Sequence, residues 1–571
     1  MEEWLEIRDF SRGMNQTNAV TASEDPWDLQ DVLLSEKPEL RRRGPFSDRS
    51  ADSNKNTISG TVLAASTYTF LNTSATVAVT SSQSGGNWYV YIWVIEANQA
   101  PISKGFQVQE QATMADICGA WTDPDGANDR ADNRPDAFLV TTDKGAYVVS
   151  YNGQADSISD YFQVASSYFD LNDSTEASDS SKRLKGAGFR TCANVGGYTF
   201  LGGRFAGGGS NSQNSPNQSY GNAAGRRMWW SKIFNSESWK NKSGEIGSEG
   251  GSLVLPFTEA IRYFTELDGN LVIFTKNQIH TQSIPPGSEP TDWVLQQRAG
   301  VGTLYPRSVS RYEDSLIFAN ADGVYQFSGY ETICLTEDSI GELYKKQFYQ
   351  QATIAQDDEA PVQRDVVGIV IGDYYLLSLN EQTGYAFCCH LPTNSWVRFT
   401  NIPMLAASWT PAGDNRAFGF MKSSSNTRIV RLDRMFLPDG SSQSSPAGLD
   451  TVVASQGTRG PKFKIELRRT SQSGLGVPKI WRSLAVLYDA KGLTNTAGSL
   501  SVSYAASPDK DDATWITLNP LASTSQMTEV RQTLAAKSSA IGVRIEESGN
   551  LGRMALASIE LGYKEMRRGR G

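Results

Sequence analysis

The chain has 571 residues, 39% of them hydrophobic, with 53 Lys and Arg against 62 Asp and Glu and a formal net charge of -9. That length exceeds one ordinary core, so about two to four domains are expected. A mean hydropathy of -0.40 and a longest apolar run of only Trp88 to Ile95 leave no stretch near the roughly 20 residues of a membrane helix, so no membrane insertion is expected.

The predicted elements are mainly β. Residues 1–58 read as irregular chain with short strands, and MEEWLEIRDF is acidic with no apolar export core. Residues 59–110 form a β-rich segment of uncertain assignment, whose clearest hairpin is VAVTSSQSGGNWYVYIWVIEA.

Residues 111–440 carry a recurring unit: a Gly-containing turn, an aromatic run, a second turn and a second run. It appears at DKGAYVVSYNG, VGGYTFLGGRF, DGNLVIFTKNQIHTQ, DGVYQFSGY and GDYYLLSLNEQTGYAFCCHLPTNSWVRF, with a weaker copy at GDNRAFGFMKSSSNTRIVRLD. Anchored on Asp143, Gly196, Asp268, Asp322, Asp373 and Asp414, the spacings are 53, 72, 54, 51 and 41. The long interval contains a Gly/Ser/Asn/Gln segment at 205–225 that reads as a flexible loop. Repeats of roughly 40 to 50 residues with several short strands predict a β-propeller of about five to seven blades. Asp268–Gly269 and Asp322–Gly323 are expected in hairpin turns with positive φ.

Residues 441–460 read as a linker. Alternating runs at 463–469, 481–488, 499–506, 540–547 and 554–565 then predict a β-sandwich or jelly roll over 461–571. Neither end buries both its edges alone, so the two termini are expected to share one platform domain.

Charge is unevenly placed. Thr113 to Ser180 holds 13 acidic residues against Arg130, Arg134 and Lys144, whereas Arg459 to Arg482 carries seven basic residues against Glu466. Solvated faces account for both; the functional alternative is an acidic surface on one unit and a basic docking surface on another.

Catalytic and metal patterns are weak. Cys118, Cys192, Cys334, Cys388 and Cys389 form no CxxC pair, which suits a reducing cytoplasm and argues against zinc. Any Ser-His or Cys-His system must use His280 or His390, and His390 points away from its neighbour Cys389 along a strand. Asp123, Asp125, Asn128 and Asp129 surround Gly126 as in a calcium loop, but the glycine comes two positions early and the closing Glu is missing. Ser507, Asp509 and Trp515 approach a sialidase box, with Asp511 where a Gly belongs. The Gly207-Gly208-Gly209 tract lacks a following Lys-Ser/Thr and is no phosphate loop. The Arg41-Arg42-Arg43 triplet fits turn packing or intersubunit pairing better than phosphate binding. No catalytic, cofactor or metal residue is therefore assigned.

A resemblance adds a concrete expectation. Phe10, Gly13 and Asn15, then Pro26, Asp28 and Leu29, then Leu40, Arg41, Arg42, Arg43 and Gly44 make a pattern similar to the N-terminal signature of tail nozzle (tail tubular protein B-like) proteins of short-tailed bacteriophages. MWWSKIFNSESW at 228–239 resembles a blade motif of that family, and Ile559, Glu560, Leu561 and Tyr563 with Arg567 and Arg568 resemble its ending. The resemblance implies a structural virion protein, assembled in the host cytoplasm as a homo-hexameric ring. It would lie below the tail adaptor and portal, beside tail fibres or needle and tip proteins, with duplex DNA only in transit and no cofactor. The termini would form the platform and the propeller its peripheral bulk. A receptor- or glycan-binding propeller module, or a glycoside hydrolase, is the alternative.

Overall fold

The computed structural model describes the chain from Glu3 to Met566, apart from residues 17–25, 122–136, 151–159, 164–187, 205–224, 240–249, 352–365, 437–461 and 507–513 and shorter stretches. The expected loop at 205–225, except Gly225, the linker at 441–460 and the acidic turn Asp123–Asp129 lie outside the described residues. The chain is mainly β.

Seven antiparallel sheets follow one another along the chain, at 61–108, 115–163, 189–254, 263–299, 310–334, 367–399 and 404–431. The first six each contain four strands joined in sequence order. The seventh has three, and Ser47–Asp48 and Thr57–Ser59 pair along its outer strand Asn426–Arg431. Inner strands such as Ala137–Thr142, Ser315–Ala319 and Val367–Ile371 are buried along their whole length. Sheets covered on both faces select continuous apolar runs rather than alternation.

The first strand of each sheet lies against the first strand of the next, and side chains stitch these joints. Tyr68 Oη donates to Ile117 O at 2.7 Å between the first and second sheets. Asp116 accepts from Thr191 Oγ1 at 2.7 Å and Cys192 N at 3.0 Å between the second and third. Thr191 Oγ1 in turn accepts from Phe264 N of the fourth. Arg311 meets Glu266 at 2.9 Å between the fourth and fifth, and Val370 N donates to Ser310 Oγ at 3.0 Å between the fifth and sixth. The sixth sheet packs on the seventh, and Thr67 of the first shares a hydrogen bond with Ser408 of the seventh, which closes the circuit.

The segment 59–110, unassigned from sequence, is thus the first sheet of this circuit. The repeat anchors also need correction. Asp143 and Asp322 stand between the second and third strands of their sheets, whereas Gly196, Asp268 and Asp373 stand between the first and second. The first strands begin at intervals of 54, 74, 74, 47, 57 and 37 residues, so the near-even spacing came from anchors that are not equivalent. At Asp268–Gly269 both φ values are positive, 51° and 74°, as a primed hairpin turn requires. Asp322–Gly323 differs: Asn320 Oδ1 accepts from Asp322 N and Gly323 N at 2.8 and 3.1 Å, and this side-chain turn needs no positive φ.

Two further sheets combine the chain's ends. One pairs Glu3–Ile7 and Leu40–Arg42 with Leu551–Glu565, which lies beside Lys479–Gly492 and then Thr528–Ser538. The other continues the sixth sheet outward. Pro26–Gln30 pairs parallel to Ser395–Phe399 and antiparallel to Lys464–Thr470, followed by Ile541–Glu547 and Ser499–Ala505. Their apolar faces share a core in which Leu5, Ile7, Leu29, Trp481, Val543, Ile559 and Leu561 are buried together. The helix Gly341–Gln351 adds Tyr344 and Phe348 to the same core.

Gly13 sets how the N-terminal segment enters. Its φ is +67°, and a Cβ there would stand 2.6 Å from Trp396 N and 2.8 Å from Trp396 O. Met14 N donates to that same carbonyl at 2.8 Å, while Phe10 and Met14 fill the core on either side. Gly13→Ala combines a left-handed backbone with overpacking, and chemical denaturation is expected to show a loss of about 2–4 kcal/mol. An unchanged transition midpoint would mean that this segment is not docked as described.

Candidate functional site

Two places concentrate buried polar groups. One is the junction between the sixth sheet and the sheets built from the chain's ends; the other is the axis of the seven-sheet circuit.

At the junction, strand Pro26–Gln30 carries Asp28, and the turn after it carries Asp31. Asp28 Oδ2 accepts from Arg398 Nη2 at 2.7 Å on the ring side and from Lys464 Nζ at 3.2 Å on the C-terminal side. Asp31 is fully buried with φ +56°, a backbone state that Asp tolerates better than most residues. Its Oδ1 accepts from Arg43 Nε at 2.8 Å and Thr400 N at 3.0 Å, and its Oδ2 from Thr400 Oγ1 at 2.6 Å. Arg43 also donates from Nη2 to Thr400 O at 2.8 Å and lies 5.0 Å from the Phe399 ring centroid. Arg42 meets the buried Glu547 at 3.5 Å. Two of the three consecutive arginines are therefore held in intramolecular ion pairs, which is the turn-packing role.

The residues of the N-terminal pattern meet here. Phe10 and Leu29 are in the core, Gly13 bridges to Trp396 in parallel, Asn15 N donates to Pro26 O, and Leu40 pairs with Leu556. Ile559, Leu561 and Tyr563 of the C-terminal pattern stand opposite Ile7, Leu5 and Glu3.

The axial cavity has a volume of about 350 Å³ and is lined by the first strands of all seven sheets or the residues entering them. Asp116, Arg190, Tyr263, Arg307, Thr67 and Ser408 contribute its polar wall. Burial pushes the Asp116 carboxyl up to about 6, against the lowering effect of the hydrogen bonds from Thr191, Cys192 and Ile117 and of Arg307. Arg307 Nη1 donates to Leu405 O at 2.8 Å, tying the entry of the fifth sheet to the seventh. This volume falls within the range of small-ligand sites, about 300–1,000 Å³.

The other candidates stay apart. His280 Nε2 bonds Gln278 Oε1 and its ring stacks on Phe257, while His390 Nδ1 bonds Thr393 Oγ1. Cys118, Cys192, Cys388 and Cys389 are buried free thiols. Burial pushes Cys192 up, as does neighbouring Cys118, which suppresses thiolate formation. Among the described residues no cluster of His, Cys, Asp or Glu suits a metal ion. Trp515 stacks under Arg544 at 3.9 Å, while Ser507, Asp509 and Asp511 lie outside the described residues, as do Gly207-Gly208-Gly209, Arg567 and Arg568. Within the basic segment, Lys464 is held by Asp28 and Glu466. Lys479 is buried against Trp481 and Tyr563. Sequence reasoning missed the structural roles of Asp31 and Asp116, since isolated aspartates in polar surroundings carry no periodic signal.

No known protein family and no curated protein matches the chain. Among solved structures, it is similar to the extracellular domain of a one component system from B. thetaiotaomicron, at 9% identity and a TM-score of 0.35, over 90% of this chain and 60% of that one.

Two outcomes are expected. Asp31→Asn keeps the left-handed backbone but leaves Arg43 as an uncompensated buried charge, so urea unfolding followed by tryptophan fluorescence is expected to show a loss of about 3–5 kcal/mol. Equal stability of variant and parent would contradict the buried pair. For Asp116, the folded carboxyl titrates near 6 and the unfolded one near the ordinary Asp value of 3.8. The folded state binds more protons in that window, so this group's contribution to stability falls as pH rises from about 4 to about 6. Asp116→Asn is expected to remove that fall from the stability-versus-pH curve; an identical slope in the variant would contradict it.

Proposed function

We propose that this chain is a structural subunit of the tail nozzle of a short-tailed bacteriophage. In this reading the seven sheets are the blades of a β-propeller and the two end-built sheets are a sandwich platform. Copies of the chain form a ring below the adaptor and portal, beside the tail fibres or needle, and the genome leaves through it. The protein acts as a conduit in the virion tail and not as an enzyme.

The observation that carries the reading is the convergence of the family-like residues. Phe10, Gly13, Asn15, Pro26, Asp28, Leu29 and Leu40 to Gly44 come from scattered N-terminal positions, yet they build one junction with the strand that contains Ile559, Leu561 and Tyr563. Their roles are architectural: core filling, close backbone approach and internal charge pairing. A pattern made of such residues marks a shared architecture rather than a shared chemistry.

A conduit for a polyanion works best when it does not grip phosphates, since each neutralised phosphate adds counterion-release affinity and slows transit. The net charge of -9 and the internal pairing of Arg42 and Arg43 favour that behaviour. A second reading, a receptor- or glycan-binding module, draws on the axial cavity with its convergent Asp116, Arg190 and Tyr263.

Immunogold electron microscopy of phage particles with antibody against this chain tests the proposal. Label confined to the tail, with sixfold rings in end-on images, is the expected result. Absence of the chain from purified particles would overturn it. The purified protein is also expected to bind duplex DNA negligibly at physiological salt, and sub-micromolar affinity would contradict a slippery conduit.

A further inference from the structure

The first sheet carries a row of aromatic side chains that runs out of its core onto the surface. Strand Asn87–Glu96 alternates, so Val90, Ile92 and Val94 enter the core shared with the second sheet, while Tyr89, Tyr91, Trp93 and Ile95 stand on the opposite face. Ile95 and Trp93 pack there against Ile58, Leu405 and Phe418 at the joint with the seventh sheet. Towards the hairpin turn at Gly85–Gly86 that joint ends, and Tyr91 and Tyr89 are left half-buried. The ring centroids of Tyr89 and Tyr91 lie 5.8 Å apart and those of Tyr91 and Trp93 6.3 Å, with planes tilted by 35° and 37°.

The residues beside the row are small and polar. On the outer strand Ile102–Val108, Gln107, Gly105 and Ser103 stand opposite Tyr89, Tyr91 and Trp93, and all three are exposed. A Cβ at Gly105 would stand 2.7 Å from Tyr91 Cε1, so the tyrosine ring lies over the glycine. On the inner side Ser82, Thr80 and Ala78 stand opposite the same three aromatics. Trp93 Nε1 donates to Thr80 Oγ1 at 3.0 Å, which fixes the indole. None of the side chains named on this face carries a charge. Aromatic cover of a strand glycine is a packing device of sheets and accounts for Tyr91. It does not account for Tyr89, which stands between Ser82 and Gln107 next to the exposed Asn87.

We propose that Tyr89, Tyr91 and Trp93 form a stacking site for an uncharged oligosaccharide, with one hexose unit on each ring. A pyranose presents C–H groups on its faces and hydroxyls around its edge. The faces suit aromatic rings, and the hydroxyls suit Ser82 on one side of the row and Ser103 and Gln107 on the other. Successive ring centroids lie about one sugar unit apart. Charge decides against nucleic acid, whose bases also stack on aromatic rows but whose phosphates need a basic groove. Area decides against a protein partner, since three half-buried rings leave on the order of 300 Å² exposed, against about 800 Å² per partner in a stable interface. The indole held by Thr80 and the ring laid over Gly105 are already ordered, so binding costs little side-chain entropy. None of these residues lines the axial cavity, and the site does not depend on the nozzle reading.

Calorimetric titration of the full chain with unbranched hexaoses of β-linked glucose, mannose and galactose tests it. At least one of the three is expected to bind in the micromolar to millimolar range. Its affinity is expected to stay constant from about 0.05 to 0.5 M salt, because no ion pair takes part. Tyr89→Ala and Tyr91→Ala are each expected to weaken that binding about 3- to 10-fold. Tyr89→Phe and Tyr91→Phe keep the rings and should retain it. Thermal melts show whether each variant folds, and Tyr89→Ala, beside the exposed turn, carries the test if Tyr91→Ala does not. A short thymidine oligonucleotide is the comparison ligand and is expected not to bind. No binding of any of the three hexaoses, affinity indifferent to the loss of either ring, or tighter binding of the oligonucleotide would each overturn the inference. Tail labelling without hexaose binding removes only the stacking site. Hexaose binding that the ring variants weaken, without tail labelling, removes only the nozzle reading.

Discussion

Strand Pro26–Gln30 is five residues long and carries the sheet pairing between two bodies that also share one apolar core. One edge pairs with the sixth sheet and the other with Lys464–Thr470, so a single hydrogen-bonded surface runs from the ring into the C-terminal part. The charges follow the backbone. Asp28 faces Arg398 on one side and Lys464 on the other, and Asp31 anchors the following turn to Arg43 and Thr400. Burying such pairs costs desolvation, and its return is geometric: removing one partner leaves a charge with no solvent, so alternative registers are strongly disfavoured. The positions of Gly13 against Trp396, of Leu40–Arg42 on Leu551–Glu565 and of Ser47–Asp48 on the seventh sheet all follow from where this strand is pinned.

The ring is closed by different means at each joint. Apolar side chains fill the space between neighbouring sheets, as with Leu267, Phe274, Phe318 and Phe327 between the fourth and fifth. At the axis the first strands meet around a polar cavity, where hydroxyls and one carboxylate stand beside Arg190, Tyr263 and Arg307. Thr191 shows the economy of that arrangement, since its Oγ1 donates to Asp116 and accepts from Phe264 N, tying three sheets through one atom. The cost appears at Asp116, whose carboxyl is pushed up by burial even while it accepts three hydrogen bonds.

Much of the β content was legible from residues alone. The hairpin at Ser74–Ser84 and Asn87–Glu96, the turn at Asp268–Gly269 and five strands beyond residue 460 stand where alternation and turn chemistry put them. The strand Thr528–Ser538 went unnoticed because its inward residues are Val530, Gln532, Leu534 and Ala536, too mixed to register as an apolar face. The segment 59–110 could not be placed since its neighbours in space, at 404–410 and 115–120, are distant in sequence or lack a shared motif. The junction was half legible: the residues of the N-terminal pattern were singled out, but not that Asp31 and Arg43 form a buried pair. Partners of a buried charge are set by tertiary approach, which no local period records.

That the chain's N-terminal strands are structural members of the C-terminal sheets, rather than an arm laid over them, is the claim on which the rest depends. Native-state hydrogen exchange of the full chain tests it directly, because cooperative units open together and appendages open alone. The account predicts that amides of Glu3–Ile7 and Pro26–Gln30 share one opening free energy with those of Lys464–Thr470 and Leu551–Glu565, and that mild denaturant lowers all of them in parallel. Rapid exchange of the two N-terminal strands while the C-terminal strands remain protected would contradict it.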